Sequence, residues 1–201
     1  TRLVQGEDYW VGQIFDSLWP IHDYLQDPQQ HLNCIDVGTG CGFPGLAIAI
    51  ALPQAMITLV DATRKKTLAL NEIAGKLELS SSVQIINDRI EVIGQDDSFR
   101  GRYDLAMARA VSSAPVTAEY LIPLIKKSGE ALLFRGQWSQ ADKRNLLPAL
   151  KKLNASIKQI QSIDLPAQRG KRHVIRIEST DGCPTDYPRH IGIPSKKPLG
   201  T

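Results

Sequence analysis

NCIDVGTGCGFPG, residues 33–45, is the stretch on which the reading of the fold turns. Asn33 to Val37 is a short apolar run carrying a single carboxylate, Asp36, and it breaks directly into glycines at positions 38, 40 and 42 before Pro44. Such a run suits a strand buried on both faces. The glycines allow a sharp bend and close backbone approach, and Pro44 suits the first turn of a helix. A strand, a tight bend and a helix start in succession form the opening of a βα unit. The carboxyl edge of that strand is where open α/β sheets hold ligands.

Outward from this unit the same alternation continues. Pro53 closes the first helix, and Met56 to Val60 reads as a second strand. Thr63 is expected to cap a long helix with Leu68, Ile73 and Leu77 facing inward. Val83 to Ile86, Tyr103 to Ala108 and Gly129 to Phe134 read as further strands, with Ala114 to Ile125 helical between the last two. Gln140 to Lys152 reads as a helix. Ile157 to Ile163 and His173 to Ile177 then form a hairpin-like sheet edge around a loop with Pro166 and Gly170. Upstream, Trp10, Ile14, Phe15, Leu18 and Ile21 recur at three- and four-residue spacing, predicting a helix from Asp8 to Tyr24 that Pro20 bends or ends. The order predicts an α/β protein with a Rossmann-like, mostly parallel sheet and helices on both faces. Three parts are expected: a helical extension at 1–28, a core at 29–180 and an irregular basic tail at 181–201. The chain opens without methionine, which predicts either processing or a missing upstream piece.

Composition narrows the class. Of the 201 residues, 42% are hydrophobic and 22% charged, the mix of an ordinary globular domain. No apolar run approaches the roughly 18 to 20 residues of a membrane span, and no secretory leader is visible, so a cytoplasmic protein is expected. Cys34, Cys41 and Cys183 are odd in number and widely spaced, arguing against a disulfide framework, and no CxxC pair suggests a metal site. A net charge of +3 does not by itself imply nucleic acid. The cations are clustered, however, in 143–158, 169–176 and 189–197.

The glycine spacing separates two cofactor classes. A GxGxxG dinucleotide fingerprint starting at Gly38 needs glycine at position 43, where this chain has Phe43. GxGxG after an acidic strand end instead resembles the first motif of class I methyltransferases, whose S-adenosylmethionine carries a sulfonium cation and no phosphate. Asp61 ends the second strand, where an ionised carboxylate can accept hydrogen bonds from ribose hydroxyls; it could also serve only to cap the following helix. Asp36 either faces the methionine end of the cofactor or bonds loop amides.

The residues disfavour two classes of methyl acceptor. ARAVSS from Ala108 to Ser113 lacks the Asn or Asp, double proline and aromatic of many amine methyltransferases. No cysteine stands where a pyrimidine-attacking nucleophile belongs. A guanine N7 has an in-plane lone pair and needs alignment without a strong base.

DVGTGCGFPG, VDAT at the end of the second strand, DRIE at Asp88 to Glu91, ARAV at Ala108 to Val111 and RGQ at Arg135 to Gln137 resemble the RsmG (GidB) family. The ending YPRHIGIPSKKPL, Tyr187 to Leu199, is similar to that of many bacterial members, and IFDSL at Ile14 to Leu18 also matches. Gly12 and Gln13 replace the basic-His pair that commonly precedes it. The resemblance implies methylation of a guanine N7 in small-subunit (16S) ribosomal RNA. It also implies that Gly38 and Phe43, with Gly40 and Gly42, line the cofactor pocket, and that Asp61, Ala62 and Thr63 meet the ribose. Ile90 and Glu91 would then flank the adenine, with Glu91 accepting from its amino group, while Arg109 would act as a clamp on cofactor carboxylate or RNA phosphate. No catalytic acid or base is assigned, and no metal. Expected RNA contacts are Arg135, Arg169, Lys171, Arg172, Arg189, Lys196 and Lys197, several of them in the turn QRGKRH. A monomer is expected. The competing readings are a small-molecule or protein methyltransferase, a noncatalytic nucleotide- or RNA-binding module and, more distantly, a dehydrogenase.

Overall fold

A computed structural model describes residues 9–200. Its centre is a seven-stranded sheet in the order β3-β2-β1-β4-β5-β7-β6. The strands are β1 (Asn33–Val37), β2 (Met56–Val60), β3 (Val83–Ile86), β4 (Tyr103–Arg109), β5 (Ile125–Arg135), β6 (Ala155–Asp164) and β7 (Lys171–Ser179). Pairing is parallel from β3 through β5, and β7 runs antiparallel to both β5 and β6. The strand order reverses between β1 and β4, which opens a crevice at their carboxyl ends. The helices are α1 (Gly45–Ala51), α2 (Arg64–Lys76), α3 (Ile90–Ile93), α4 (Ala114–Leu121), α5 (Gln140–Lys152) and α6 (Ile193–Lys196).

Period-two alternation builds a core on each face of the sheet. Ile35, Val37, Ala106, Ala108, Ala131 and Leu133 point to one side, with α4 and α5. Cys34, Ile57, Leu59, Met107, Leu132 and Phe134 point to the other, with α1 and Ile21. Gly129 has a steric reason to be glycine: an added Cβ would stand 2.6 Å from the Tyr103 carbonyl oxygen, beside the register shift between Tyr103 and Leu105.

Three expectations need correction. The amino-terminal helix is broken into a π-helical turn at Trp10–Phe15, one α turn at Asp16–Leu18, and 3-10 turns at Trp19–Ile21 and Tyr24–Gln26, with Pro20 inside the break. Asp8 lies outside the described residues, and Trp10 is 68% exposed although its spacing placed it inward. In α2 the buried residues are Thr67, Leu70 and Ala74, while Leu68, Ile73 and Leu77 face solvent. Short apolar-looking periodicity fixed the helix but chose the wrong face. Finally, α4 stops at Leu121 and gives way to a 3-10 turn at Ile122–Leu124 containing Pro123, so β5 starts at Ile125, earlier than its apolar run suggested.

The ending is built, not loose. Leu199 is buried in the core on the α4 side, and α6 interrupts the irregular segment with one helical turn. Arg100 donates to the carbonyls of Cys183, Pro184 and Tyr187 at the start of this segment. Among the described residues no helix is long and apolar enough to cross a membrane, and no group of three metal-ligating side chains occurs.

Candidate cofactor and acceptor site

Asp36, at the end of β1, is fully buried. Its Oδ2 accepts from Thr39 Oγ1 at 2.7 Å and from the Gly45 amide at 2.9 Å, while Oδ1 has no hydrogen-bond partner in the protein. Burial pushes its carboxyl up to about 6, against hydrogen bonds that favour the ionised form. An orphaned buried acceptor of this kind calls for a partner.

The bend after β1 is pinned from β2. Asp61 Oδ2 accepts from the Gly40 amide at 3.1 Å and from Lys66 Nζ at 3.2 Å, and Oδ1 accepts from the Thr63 amide at 2.8 Å. Burial alone would raise its carboxyl, but the bonds from Thr63 and Lys66 outweigh it and hold Asp61 below the ordinary range. Neither Thr63 nor Asp61 caps α2 with its side chain; Asp61 instead fixes the turn that leads into the helix. Three bonds leave about one of its four lone-pair sites, so contact with both ribose hydroxyls requires Lys66 to give way.

Between the ends of β1 and β2 and the start of α3 is a cavity of 260 Å³, bounded by Gly38, Asp61, Ala62 and Ile90. It lies just under the roughly 300–1,000 Å³ of drug-sized ligand pockets, a size suited to the nucleoside half of a cofactor. Gly38 holds φ at +67°, and a Cβ there would fall 2.7 Å from Val111 Cγ2, itself a lining residue. The remaining lining includes Val37, Val60, Asp88, Arg89, Ser112, Tyr120 and Ser195, none of them expected at the cofactor from the sequence. Val37, Val60, Asp88 and Arg89 lie within the motifs DVGTGCGFPG, VDAT and DRIE and were within reach of the motif reading. Tyr120 and Ser195 come from segments with no ligand signal of their own.

Other expected cofactor residues stand elsewhere. Gly40, Gly42 and Thr63 support the bend from behind, and a Cβ on Gly42 would strike Leu46 and Leu70. Glu91 is buried, but its Oε1 accepts from Arg89, Tyr120 and the Gly192 amide. Burial would raise that carboxyl, and Arg89 and Gly192 more than offset this, so it stays ionised and committed to the protein. The adenine-amino role drawn for it is therefore replaced by a structural one. The Phe43 ring sits edge-on to Tyr9 at 5.6 Å, with the Arg109 guanidinium 5.9 Å above it.

A second cavity, of 550 Å³, adjoins the first along the chain: Val111 and Ser112 line one, Arg109 and Ala110 the other. Ala110 at the seam takes a left-handed φ of +57°, a strained conformation for a residue with a side chain. Arg135, Arg172 and His173 bring positive or hydrogen-bonding groups to this cavity, opposite Gln13 and Asp16. Arg135 Nη1 donates to the Ser112 carbonyl at 2.6 Å and so holds the β4–α4 loop. Arg109 bonds Asp16 Oδ2 at 3.2 Å and also Gln13 Oε1, so it clamps the amino-terminal segment. Among the other expected RNA contacts, Arg169 lies beside Gly12, and Lys171, Lys196 and Lys197 are exposed. Arg189 is corrected to a structural residue: Nε and Nη2 grip the carboxylate of the fully buried Glu119 at 2.8 and 2.7 Å.

A larger groove of 940 Å³ runs between the broken amino-terminal helix and β6, walled by Trp10, Phe15, Trp19 and Ile163. It converges few polar groups, so its size does not mark the chemistry.

Comparison with known proteins follows the same lines. A family model described as GidB, rRNA small subunit methyltransferase G, matches residues 1–175. Ribosomal RNA small subunit methyltransferase G of Synechococcus sp. (strain CC9902) is 53% identical over 201 residues, covering 100% of this chain and 83% of its own. The protein of that name from Prochlorococcus marinus (strain MIT 9303) is 56% identical, with 100% and 81% covered. Among solved structures, M. jannaschii TYW2 in complex with AdoMet aligns with a TM-score of 0.63 at 12% identity, over 89% of this chain and 79% of that one. The antibiotic-resistance methyltransferase Kmr aligns at 0.60 and 15% identity, over 80% and 92%. The sheet order and these neighbours define the fold of a class I S-adenosylmethionine-dependent methyltransferase. Identity above half along the whole chain goes further: the protein belongs to the GidB family, rRNA small subunit methyltransferase G. The family implies use of S-adenosylmethionine, and the residues fit it. A Cβ at Gly38 would strike Val111 in the cavity lining, and one residue before that lining Asp36 keeps an unpartnered buried acceptor.

Proposed function

We propose that this chain transfers a methyl group from S-adenosylmethionine to N7 of a guanine in small-subunit ribosomal RNA, as a cytoplasmic monomer. The family supports the reaction, and one structural observation carries the site: a cleft rich in arginine opens next to the Gly38–Asp61 cavity, divided from it by the strained Ala110. Asp61 and Gly38 would hold the nucleoside, and Asp36 Oδ1, unpaired in the protein, would offer an acceptor to the cationic methionine end. The bound cofactor supplies an electrophilic methyl carbon on a sulfonium.

The protein's part is alignment. The second cavity seats the flipped guanine, at a cost of a few kcal/mol if the base must leave a stack. The N7 lone pair forms the new N–C bond as the S–C bond breaks, the pair stays on sulfur, and no proton moves. S-adenosylhomocysteine and a cationic N7-methylguanine result. An unpaired cation facing that product would oppose it. Arg109 escapes this objection because Asp16 and Gln13 hold its guanidinium, and it acts as a clamp on the protein. Arg172, which lines this cleft, and its exposed neighbour Lys171 would take backbone phosphates.

The test supplies methyl-labelled S-adenosylmethionine with undermethylated small subunits, naked ribosomal RNA, transfer RNA and a protein extract. Label in small-subunit RNA, recovered as N7-methylguanosine, is the expected outcome. Label confined to transfer RNA or protein overturns the proposal.

A further inference from the structure

The ending that resembled a loose basic tail is bonded to the cofactor cavity at several independent points. Tyr120 Oη lies 3.1 Å from Ser195 Oγ, and both residues line the cavity of Gly38, Asp61 and Ile90. The Gly192 amide donates to Glu91 Oε1 at 3.0 Å, and the same oxygen accepts from Tyr120. Before this point the segment is fastened by Gln95, whose Nε2 donates to the Thr185 and Pro188 carbonyls, and by the Arg189–Glu119 pair. After it, Leu199 is buried and Arg189 Nη2 donates to the Lys197 carbonyl. A segment that only met RNA would not need a buried carboxylate, a phenol and a core leucine to fix its path.

We infer that residues 183–199 form one wall of the nucleoside cavity, with Ser195 and Tyr120 presenting the hydroxyls that meet the bound base and the Arg189–Glu119 pair acting as its clasp. This rests on the reading of that cavity as the cofactor site. A serine hydroxyl donates and accepts, so it can match either kind of group on a purine edge. Tyr120 spends its one proton on Glu91 Oε1, so its oxygen is left to accept, from Ser195 or from the base. The wall also explains why Glu91 is spent inside the protein: it ties α3 and α4 to α6 across the cavity rim.

The experiment measures S-adenosylhomocysteine affinity by calorimetry for the parent, Ser195→Trp and Arg189→Lys, with ligand-free melting temperature as the folding control. Amide hydrogen exchange of the parent is followed with and without ligand. Weakening by about tenfold or more in Ser195→Trp is expected, with a smaller loss in Arg189→Lys, and the Arg189 and Gly192 amides should exchange more slowly when ligand is bound. A parent that binds, variants within about twofold of it and no protection of 183–199 would overturn the wall while leaving the methyltransferase reading intact. A parent that does not bind overturns both.

Discussion

Arg109 Nη1 and Asp16 Oδ2 meet at 3.2 Å across 93 residues of sequence, tying the end of β4 to the single α turn of the amino-terminal segment. Both partners are shielded, at 19% and 8% side-chain exposure, and the Arg172 guanidinium lies 3.7 Å from the other Asp16 oxygen. Two arginines that line the second cavity therefore share one carboxylate. Asp16→Ala leaves both cations without it and should lower stability by about 2 kcal/mol. It should also reduce kcat with little change in cofactor affinity, because the Asp61 side of the cavity is untouched. Urea unfolding and steady-state methylation check the two halves separately.

Gly38→Val combines a left-handed backbone with a side chain aimed at Val111. The backbone term costs about 1–2 kcal/mol in the fold. The displaced Val111 intrudes on the cavity, so S-adenosylhomocysteine affinity should fall by at least about tenfold in a variant that still melts cooperatively. Unchanged affinity would show that the bend is not the cofactor cradle.

Asp36 makes stability depend on pH in an unusual direction. Its carboxyl is raised from 3.8 to about 6 in the folded chain, so between those values the native state binds more protons than the unfolded one. The Asp36 contribution is fully present below pH 3.8 and is lost as pH rises through 6, reaching a cost of about 3 kcal/mol at neutral pH. Asp36→Asn can keep the bonds from Thr39 and Gly45 without the charge. The stability of the variant relative to the parent should therefore climb between pH 4 and pH 6, while its cofactor affinity falls. A flat difference across that window in denaturant titrations would contradict the assignment.

Lys171 and Arg172 should differ from Arg189 in what their loss does. Replacing either of the first two by alanine should weaken RNA binding across sequences and lower the salt slope by about 1, as expected for a lost phosphate contact. Arg189→Ala leaves the fully buried Glu119 carboxylate uncompensated and should cost about 3–5 kcal/mol of stability, with no change in the salt slope. Filter binding over a salt series and thermal melts distinguish them.

The comparison of sequence with structure follows the range of the forces involved. Strands β1 to β4 and the second half of β5 were legible because local apolar runs are bounded by glycine, proline and charge, and α5 matched residue for residue, with Ser139 and Asp142 forming a capping box at its start. The bend at Gly38 and its neighbour Asp61 were legible because backbone geometry admits few residue types there. The inward face of α2 was not, since Leu68 and Leu70 are equally apolar and only the position of the sheet decides between them. Arg189 pairs with Glu119, and Glu91, besides its neighbour Arg89, is bonded by Tyr120 and Gly192; these long-range partners were invisible to spacing. Ser195 became a cavity residue only through tertiary packing.

The pinning of the amino-terminal segment has one last consequence. Ile21 is wholly inside the core, Arg176 donates to the Pro20 carbonyl, and Asp16 is held from two sides. The jaw facing β4 is thus fixed in width, and conformational adaptation falls to the guest. Discrimination among guanines would then be set by how readily each nucleotide swings out of its surroundings, which makes the folded state of the RNA, as much as its lettering, the selector.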